Sequence, residues 1–285
     1  MNDVSIIIVT WNNENEIEAC IESIRMDLEP ANNLKGEIIV IDNNSPDKTF
    51  QILQKLPALK THRNKENAGF TAAVNQGIKL ANGKYIFLLN PDTILKKGCI
   101  EILVGFLEKN ENYGACTPLL LNDDGTIQHS IRNFPDYWSM LCELSLLAYL
   151  FPKSKLFGRW KMKYFDYTKD SDVCQPMAAA LMIRKSVIDE IGLMDERYFM
   201  FFNDVDICKR TVDSGCKIRF LKEAQAIHKK GTSIYKDIIN MIRVWNKDCI
   251  KYFEKNHNNA ILLMWLRLNL KISELLRILY YKAAK

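Results

Sequence analysis

Two groups of residues in this chain have the types and spacing for chemistry on a phosphorylated substrate. The first is Asn90-Pro91-Asp92-Thr93, which closes the apolar run Tyr85-Ile86-Phe87-Leu88-Leu89. Proline offers no ladder N–H, so the run reads as a buried strand that stops there and holds Asp92 at the mouth of a sheet. Ligands of open α/β sheets gather beyond the carboxyl ends of the strands, where a fixed carboxylate can hold a hard cation on a phosphate. Taken alone, Asp92 serves equally as a turn residue or as the cap of a helix from Lys96 onward. The second group is Tyr198-Phe199-Met200-Phe201-Phe202-Asn203-Asp204-Val205-Asp206, followed by His228 in Ala226-Ile227-His228-Lys229-Lys230-Gly231. Carboxylates two apart behind an aromatic run suit a general base or a helix start, and a His entering a Gly-containing loop suits a ligand or a structural contact.

The elements that must position these groups alternate strand and helix from Val4 to about Pro118. Val4 to Thr10 reads as a buried strand, and Glu14 to Met26 as a helix with Ile17, Cys20, Ile21 and Ile24 on one face. Glu37 to Ile41 is a second strand, and Ser45-Pro46-Asp47 opens a helix to about Leu56. Asn67 to Leu80 predicts a further helix with Ala72, Ala73, Ile78 and Leu80 packed inward. This order predicts right-handed βαβ units and a parallel sheet. The first strand ends on Thr10-Trp11-Asn12-Asn13 and the second on Asp42-Asn43-Asn44-Ser45; Asp42 suits a ribose hydroxyl, a base N–H or its own turn. Neither G-x-G-x-x-G nor G-x-x-x-x-G-K-[ST] occurs, which excludes a dinucleotide fold and a P-loop.

The second half differs in character. Asp123-Asp124-Gly125-Thr126 predicts a hairpin turn. Tyr137 to Trp160, rich in Leu, Tyr, Trp and Phe, reads either as a buried helix or as an exposed apolar surface. Ala260 to Tyr281 interleaves apolar residues with Arg267, Lys271, Arg277 and, just beyond, Lys282. Such a helix suits an anionic membrane surface, its own domain or a second subunit.

With 285 residues, 26% charged and 48% hydrophobic, the chain is an ordinary globular one with a sizeable core. A net charge of +5, with no basic, aromatic-interleaved stretch, argues against nucleic acid as partner. The eight cysteines show no C-x-x-C pair, and the N-terminus shows no basic and apolar leader, so a cytoplasmic location is expected. No window carries about 18 uninterrupted apolar residues.

Six segments in order resemble the family 2 glycosyltransferases of GT-A fold, in particular their rhamnosyltransferase-like bacterial branch. They are Ser5 to Asn12, Ile39 to Ser45, Glu66-Asn67-Ala68-Gly69-Phe70 with Asn75, Asn90 to Thr93, Phe201 to Asp206, and His228 with Gly231 and Ser233. The resemblance implies a GT-A domain over residues 1–233, with a nucleotide-binding half (1–118) and an acceptor and catalytic half (119–233), and a helical extension over 234–285. It implies a nucleotide cradle of Thr10, Asn12, Asp42, Asn67 and Gly69, joined by Asn90 and Asp92. Asp92 and His228 would be the ligands of Mg²⁺ or Mn²⁺, with Asn90 where many relatives carry an acid. Asp204 would be the catalytic base, with Asp206 its rival, and Asn203 departs from the Glu common in relatives.

The function so implied is inverting, metal-dependent transfer of a sugar from dTDP-rhamnose or a UDP-sugar to a bacterial surface-glycan or lipid-linked saccharide. The enzyme would be peripheral on the inner face of the plasma membrane, with its oligomeric state open. The alternative is a membrane-associated scaffold of the same fold with impaired chemistry, which Asn90 and Asn203 favour and Asp92, Asp204 and His228 oppose. A glycoside hydrolase, which needs no nucleotide cradle, and a nucleotide-sugar pyrophosphorylase, which needs a Gly-rich basic loop after the first strand, rank below both.

Overall fold

The structure, a computed structural model, describes residues 2–28, 34–229 and 238–283. Gly231 and Ser233, the expected boundary at 233/234 and the side chain of Lys282 lie outside the described residues. The first strand, β1 (Val4–Thr10), is buried along its whole length, and its alternating side chains serve two cores. Ile6 and Ile8 face α1 (Ile17–Asp27) and α4 (Cys99–Lys109), while Ile7 and Val9 face α3 (Phe70–Leu80). A sheet covered on both faces demands such continuous apolar strands.

Parallel pairing joins β1 to β2 (Gly36–Asp42), β2 to β3 (Leu59–Arg63), and β1 to β4 (Tyr85–Leu89). Beyond β4 come β10 (Ala180–Arg184), antiparallel to it, then β6 (Tyr113–Leu121), β11 (Lys217–His228) and β5 (Thr93–Leu95). Short β8 (Ser171–Val173) borders β11, and β7 (Ile131–Arg132) pairs separately with β9 (Gln175–Pro176). Since β6 is antiparallel to β10 and parallel to β11, the carboxyl ends of β1, β2, β4 and β11 lie along one edge of the sheet.

The predicted strands and helices of the first half are present, with differences at helix starts. α3 begins at Phe70 because Gly69, at φ +86°, takes a conformation that L side chains rarely adopt. Ala73 and Ile78 pack inward as predicted, but Leu80 is exposed at the last turn. Gly77 lets α3 approach β1, since a Cβ there would lie 2.5 Å from Ile7 Cγ2. Strand β3 was not anticipated: four of its five residues are exposed, so no apolar run marks it.

Tyr137 to Trp160 is both things the sequence allowed. Met140, Cys142, Ala148 and Trp160 are buried, while Trp138, Leu141, Leu146, Tyr149, Leu150, Phe151 and Leu156 are exposed around α5 (Tyr137–Leu144) and α6 (Leu147–Leu150). A third core joins Trp160 and Phe202 to Tyr252, Phe253, Leu266 and Leu270 of α9 (Ile238–Asn256) and α10 (Ala260–Ala283). No helix among the described residues is long and apolar enough to cross a membrane.

Candidate active site

The edge carrying the strand ends holds the residues singled out by sequence. Thr10 and Asp42 are register partners across β1 and β2, and both are fully buried. Thr10 Oγ1 donates to Asp42 Oδ1 (3.1 Å), while the Ser45 N–H (3.2 Å) and Arg63 Nε (3.2 Å) reach Oδ2. Asp42 thus braces three strand ends from beneath the cradle. To meet a ligand it must exchange one of these internal partners. Asn12, at φ 61°, donates its N–H to Ser45 Oγ (3.1 Å), which ties the β1 loop to the β2 loop. Asn67 Oδ1 accepts the Gly69 N–H (3.0 Å), and a Cβ at Gly69 would lie 2.7 Å from the Phe199 ring. The Asn67–Gly69 loop is therefore seated against the segment that leads to Asp204, and the Phe70 N–H donates to the Phe199 carbonyl (2.9 Å).

Asp92 and His228 meet because β5 and β11 pair with His228 opposite Thr93, and the Lys229 N–H closes on the Asp92 carbonyl (2.9 Å). His228 Nε2 lies 3.3 Å from Asp92 Oδ1 and 3.3 Å from Asn90 Nδ2. Its Nδ1 is 2.7 Å from Gln128 Oε1. Among the described residues no group of three or more His, Cys, Asp or Glu side chains is placed to hold a metal ion. The pair nevertheless fits a divalent cation of the Mg²⁺ or Mn²⁺ kind. Such ions are commonly held by one or two protein side chains, with substrate phosphates and water completing the shell. A carboxylate oxygen and an imidazole nitrogen 3.3 Å apart would supply two ligands of such a shell.

Asp204 and Asp206 open α8 (Asn203–Asp213), and their surroundings differ. Asp206 is 1% exposed and clamped by Lys255 (2.6 Å) and Arg210 (2.9 Å), so it is a structural anchor. Asp204 has no ion-pair partner within 4.0 Å among the described residues. Its Oδ1 accepts the Val205 N–H (2.8 Å) and its Oδ2 accepts from Gln175 Nε2 (3.1 Å). Burial pushes its carboxyl above the usual range, with the charge of Arg132 and backbone N–H groups acting in opposition. A raised carboxyl is closer to the value a general base needs.

The residues from Gln175 to Ala180 contact both this carboxylate and the strand end that precedes Asp92. Gln175 holds Asp204, and the Ala179 carbonyl accepts the Asn90 N–H (3.0 Å). Arg132 is the register partner of Gln175, and its guanidinium lies over the Trp160 ring at 5.7 Å. Asn203 serves the local structure: its Nδ2 donates to the Met200 carbonyl (2.8 Å) and to Thr71 Oγ1 (3.2 Å), which closes the turn before α8. Sequence reasoning missed Gln128, Arg132, Gln175 and Asp248. The first three sit on short strands and loops without periodicity. Asp248 lies on α9, where its carboxylate accepts the N–H groups of Phe199 (3.3 Å), Met200 (3.1 Å) and Phe201 (3.0 Å).

A mostly parallel sheet with Asp92 just beyond the end of β4 and Asp204 at the start of α8 is the arrangement of a GT-A type glycosyltransferase. Residues 5–191 match the model of glycosyl transferase family 2, and the chain belongs to that family. It is 23% identical over 271 residues to the N-acetylglucosaminyl-diphospho-decaprenol L-rhamnosyltransferase of Mycobacterium tuberculosis, covering 90% of this chain and 86% of that one. It is 25% identical over 238 residues to the rhamnosyltransferase WbbL of Escherichia coli, covering 79% and 83%. The chain is thus a rhamnosyltransferase-like member of the family. Its fold is shared with GalNAc-T7, solved with UDP, GalNAc and Mn²⁺ (TM-score 0.60, 17% identity, 89% of this chain and 50% of that one). S. aureus TarS 1-349 shares it too (TM-score 0.55, 15% identity, 90% and 74%).

Proposed function

We propose that this glycosyltransferase moves a sugar, with inversion, from dTDP-rhamnose or a UDP-sugar to a lipid-linked saccharide of a bacterial surface glycan. The observation that carries the reading is the Gln175 to Ala180 segment. It ties the burial-raised carboxylate of Asp204 to the end of β4, beyond which Asp92 faces His228. The cradle loops around Thr10, Asn12, Asp42, Asn67 and Gly69 would take the nucleoside. Asp92 and His228 would hold Mg²⁺ or Mn²⁺, which when bound neutralises the charge of the departing diphosphate. Asp204 would take the proton of the acceptor hydroxyl as that oxygen attacks the anomeric carbon, a role that typically contributes about 10²–10⁴-fold. A single displacement inverts the centre, and no carboxylate nucleophile is required.

The names of the two rhamnosyltransferase relatives support rhamnose as the sugar, and the diphospho-decaprenol in one supports a lipid-diphosphate acceptor. An exposed apolar stripe on α10 supports work at a membrane surface. Ile261, Met264, Leu268, Ile272, Leu275 and Leu279 recur at helical spacing, beside Arg267, Lys271 and Arg277. The exposed residues of α5 and α6 continue this surface, for Trp138 and Leu141 share an apolar groove with Leu262 and Trp265. Peripheral attachment to the cytoplasmic face would follow, since nucleotide sugars are cytoplasmic.

The test is transfer of labelled rhamnose from dTDP-rhamnose, and of sugars from UDP conjugates, to a lipid-linked saccharide with Mn²⁺ or with chelator. Metal-dependent product of inverted anomeric configuration is expected. Retained configuration, or full activity in chelator, would overturn the mechanism.

A further inference from the structure

We infer that Gln128 is a positioning residue: it locks His228 in the tautomer with its proton on Nδ1, presenting the Nε2 lone pair beside Asp92. The inference rests on the reading of Asp92 and His228 as cation ligands and goes beyond it. It assigns a role to a residue that neither motif nor spacing marks.

The argument begins with the amide. Gln128 is fully buried, and its Nε2 donates to the His228 carbonyl (3.0 Å) and to Asn122 Oδ1 (3.1 Å). A backbone carbonyl can only accept. Asn122 Nδ2 donates in turn to Thr126 Oγ1 (2.8 Å), which leaves Asn122 Oδ1 facing Gln128. Both partners therefore demand donors, and the orientation of the Gln128 amide is settled by them. Its Oε1 is then the atom 2.7 Å from His228 Nδ1, and an acceptor at that distance requires an N–H on the ring nitrogen.

Neutral imidazole carries one proton, so Nε2 is left as a lone pair. On that side Asn90 Nδ2 is placed to donate at 3.3 Å, which agrees with the assignment. Asp92 Oδ1, also at 3.3 Å, is a second acceptor facing the first. Two acceptors directed at each other repel, and a shared cation turns that repulsion into coordination. Gln128 holds the same residue at its ring and at its backbone carbonyl, so ring and strand end move together. A ligating His whose other nitrogen donates to a fixed acceptor is oriented and made more basic, and loss of such a partner typically costs about 10–100-fold in metal affinity.

The experiment uses the full chain labelled with ¹⁵N, in mildly alkaline buffer without metal. With four histidines in the sequence, the ring ¹H–¹⁵N correlations can be assigned by replacing each in turn. Wild type should show His228 with its proton on Nδ1, and Gln128→Leu should move it toward Nε2. Mn²⁺ affinity in the presence of UDP or dTDP, read by electron paramagnetic resonance, should weaken about 10–100-fold in Gln128→Leu. Gln128→Glu keeps an acceptor at Nδ1 but turns an oxygen on the His228 carbonyl and Asn122 Oδ1, so it should retain the Nδ1 proton while lowering the unfolding midpoint. A wild-type spectrum with the proton on Nε2, or wild-type Mn²⁺ affinity in Gln128→Leu, would overturn the inference. If Gln128→Leu fails to fold, the wild-type spectrum decides alone. Asp92→Asn separates the two levels: unchanged Mn²⁺ affinity in that variant would refute the cation site itself, whatever the tautomer.

Discussion

Replacing Asp204 and Asp206 one at a time by Asn should give opposite phenotypes, because the two carboxylates differ in every partner. Asp206 is buried, with Lys255 on one oxygen and Arg210 on the other. Breaking a buried pair from one side typically costs about 3–5 kcal/mol. Here the cations keep other partners: Lys255 reaches Asp195 (3.0 Å), and Arg210 NH1 reaches the Ile191 carbonyl (2.7 Å). The cations are also partly exposed, so about 2–3 kcal/mol is a fairer expectation for Asp206→Asn. For a chain of this size that lowers the unfolding midpoint by about 3–5 °C.

Asp204→Asn keeps the bond from the Val205 N–H and meets Gln175 with an amide. Among the described residues Gln175 Oε1 is buried without a partner, so a turn of that amide accommodates the change at the loss of the Nε2 bond to the Pro176 carbonyl (3.2 Å). Its midpoint should stay near wild type while kcat falls about 10²–10⁴-fold. Diphosphate release with acceptor present, and thermal unfolding of the same samples, read both quantities. An active Asp204→Asn beside an inactive Asp206→Asn of normal midpoint would refute the assignment of the base.

The raised carboxyl of Asp204 also sets a sign. The folded state binds that proton more tightly than the unfolded state does. The stability so contributed is full below the ordinary carboxylate pKa and is lost as pH rises through the raised value. The midpoint of Asp204→Asn should therefore gain on wild type as pH rises through that window, and a constant difference would contradict the shift. Asp248→Ala removes three backbone bonds to the segment before α8. At about 1.5–3 kcal/mol for each bond to a charged group, and with sub-additive losses, it should cost about 3 kcal/mol and lower kcat. Asp248→Asn should recover part of both in the same assays. Changing Leu268, Leu275 and Leu279 together to Gln should leave the midpoint unchanged and weaken binding to anionic vesicles at least about tenfold. Unchanged sedimentation with vesicles would assign the stripe to another partner.

What the sequence made legible follows from periodicity and punctuation. Tyr85 to Leu89 with Pro91 told where a strand ends, and Ile17, Cys20, Ile21 and Ile24 told which face of a helix is covered. The cradle loops and Asp92 could be placed for the same reason, since they interrupt apolar strands. β3 could not be read, because its outward residues Lys60, Thr61, His62 and Arg63 carry no apolar signal. The different surroundings of Asp204 and Asp206 were equally hidden. They depend on Lys255, which arrives from a helix 49 residues downstream. Gln128 lies 100 residues from His228, and a long-range amide contact leaves no trace in local composition. The C-terminal helices looked like an appendage in sequence, yet Asp248 and Tyr252 hold the segment and the aromatic core on which Asp204 depends.

The central claim, a nucleoside diphosphate held through a cation at Asp92 and His228, is tested most directly by thermal unfolding with UDP, dTDP and GDP. Each is added with Mn²⁺ and with chelator, to wild type and to Asp92→Asn. A ligand at about 100 times its Kd adds about 2.7 kcal/mol, hence about 4–5 °C for a chain of this size. The account predicts such a rise for at least one diphosphate, only with Mn²⁺ and only in wild type. No rise with any nucleotide, or an equal rise in chelator and in Asp92→Asn, would contradict it.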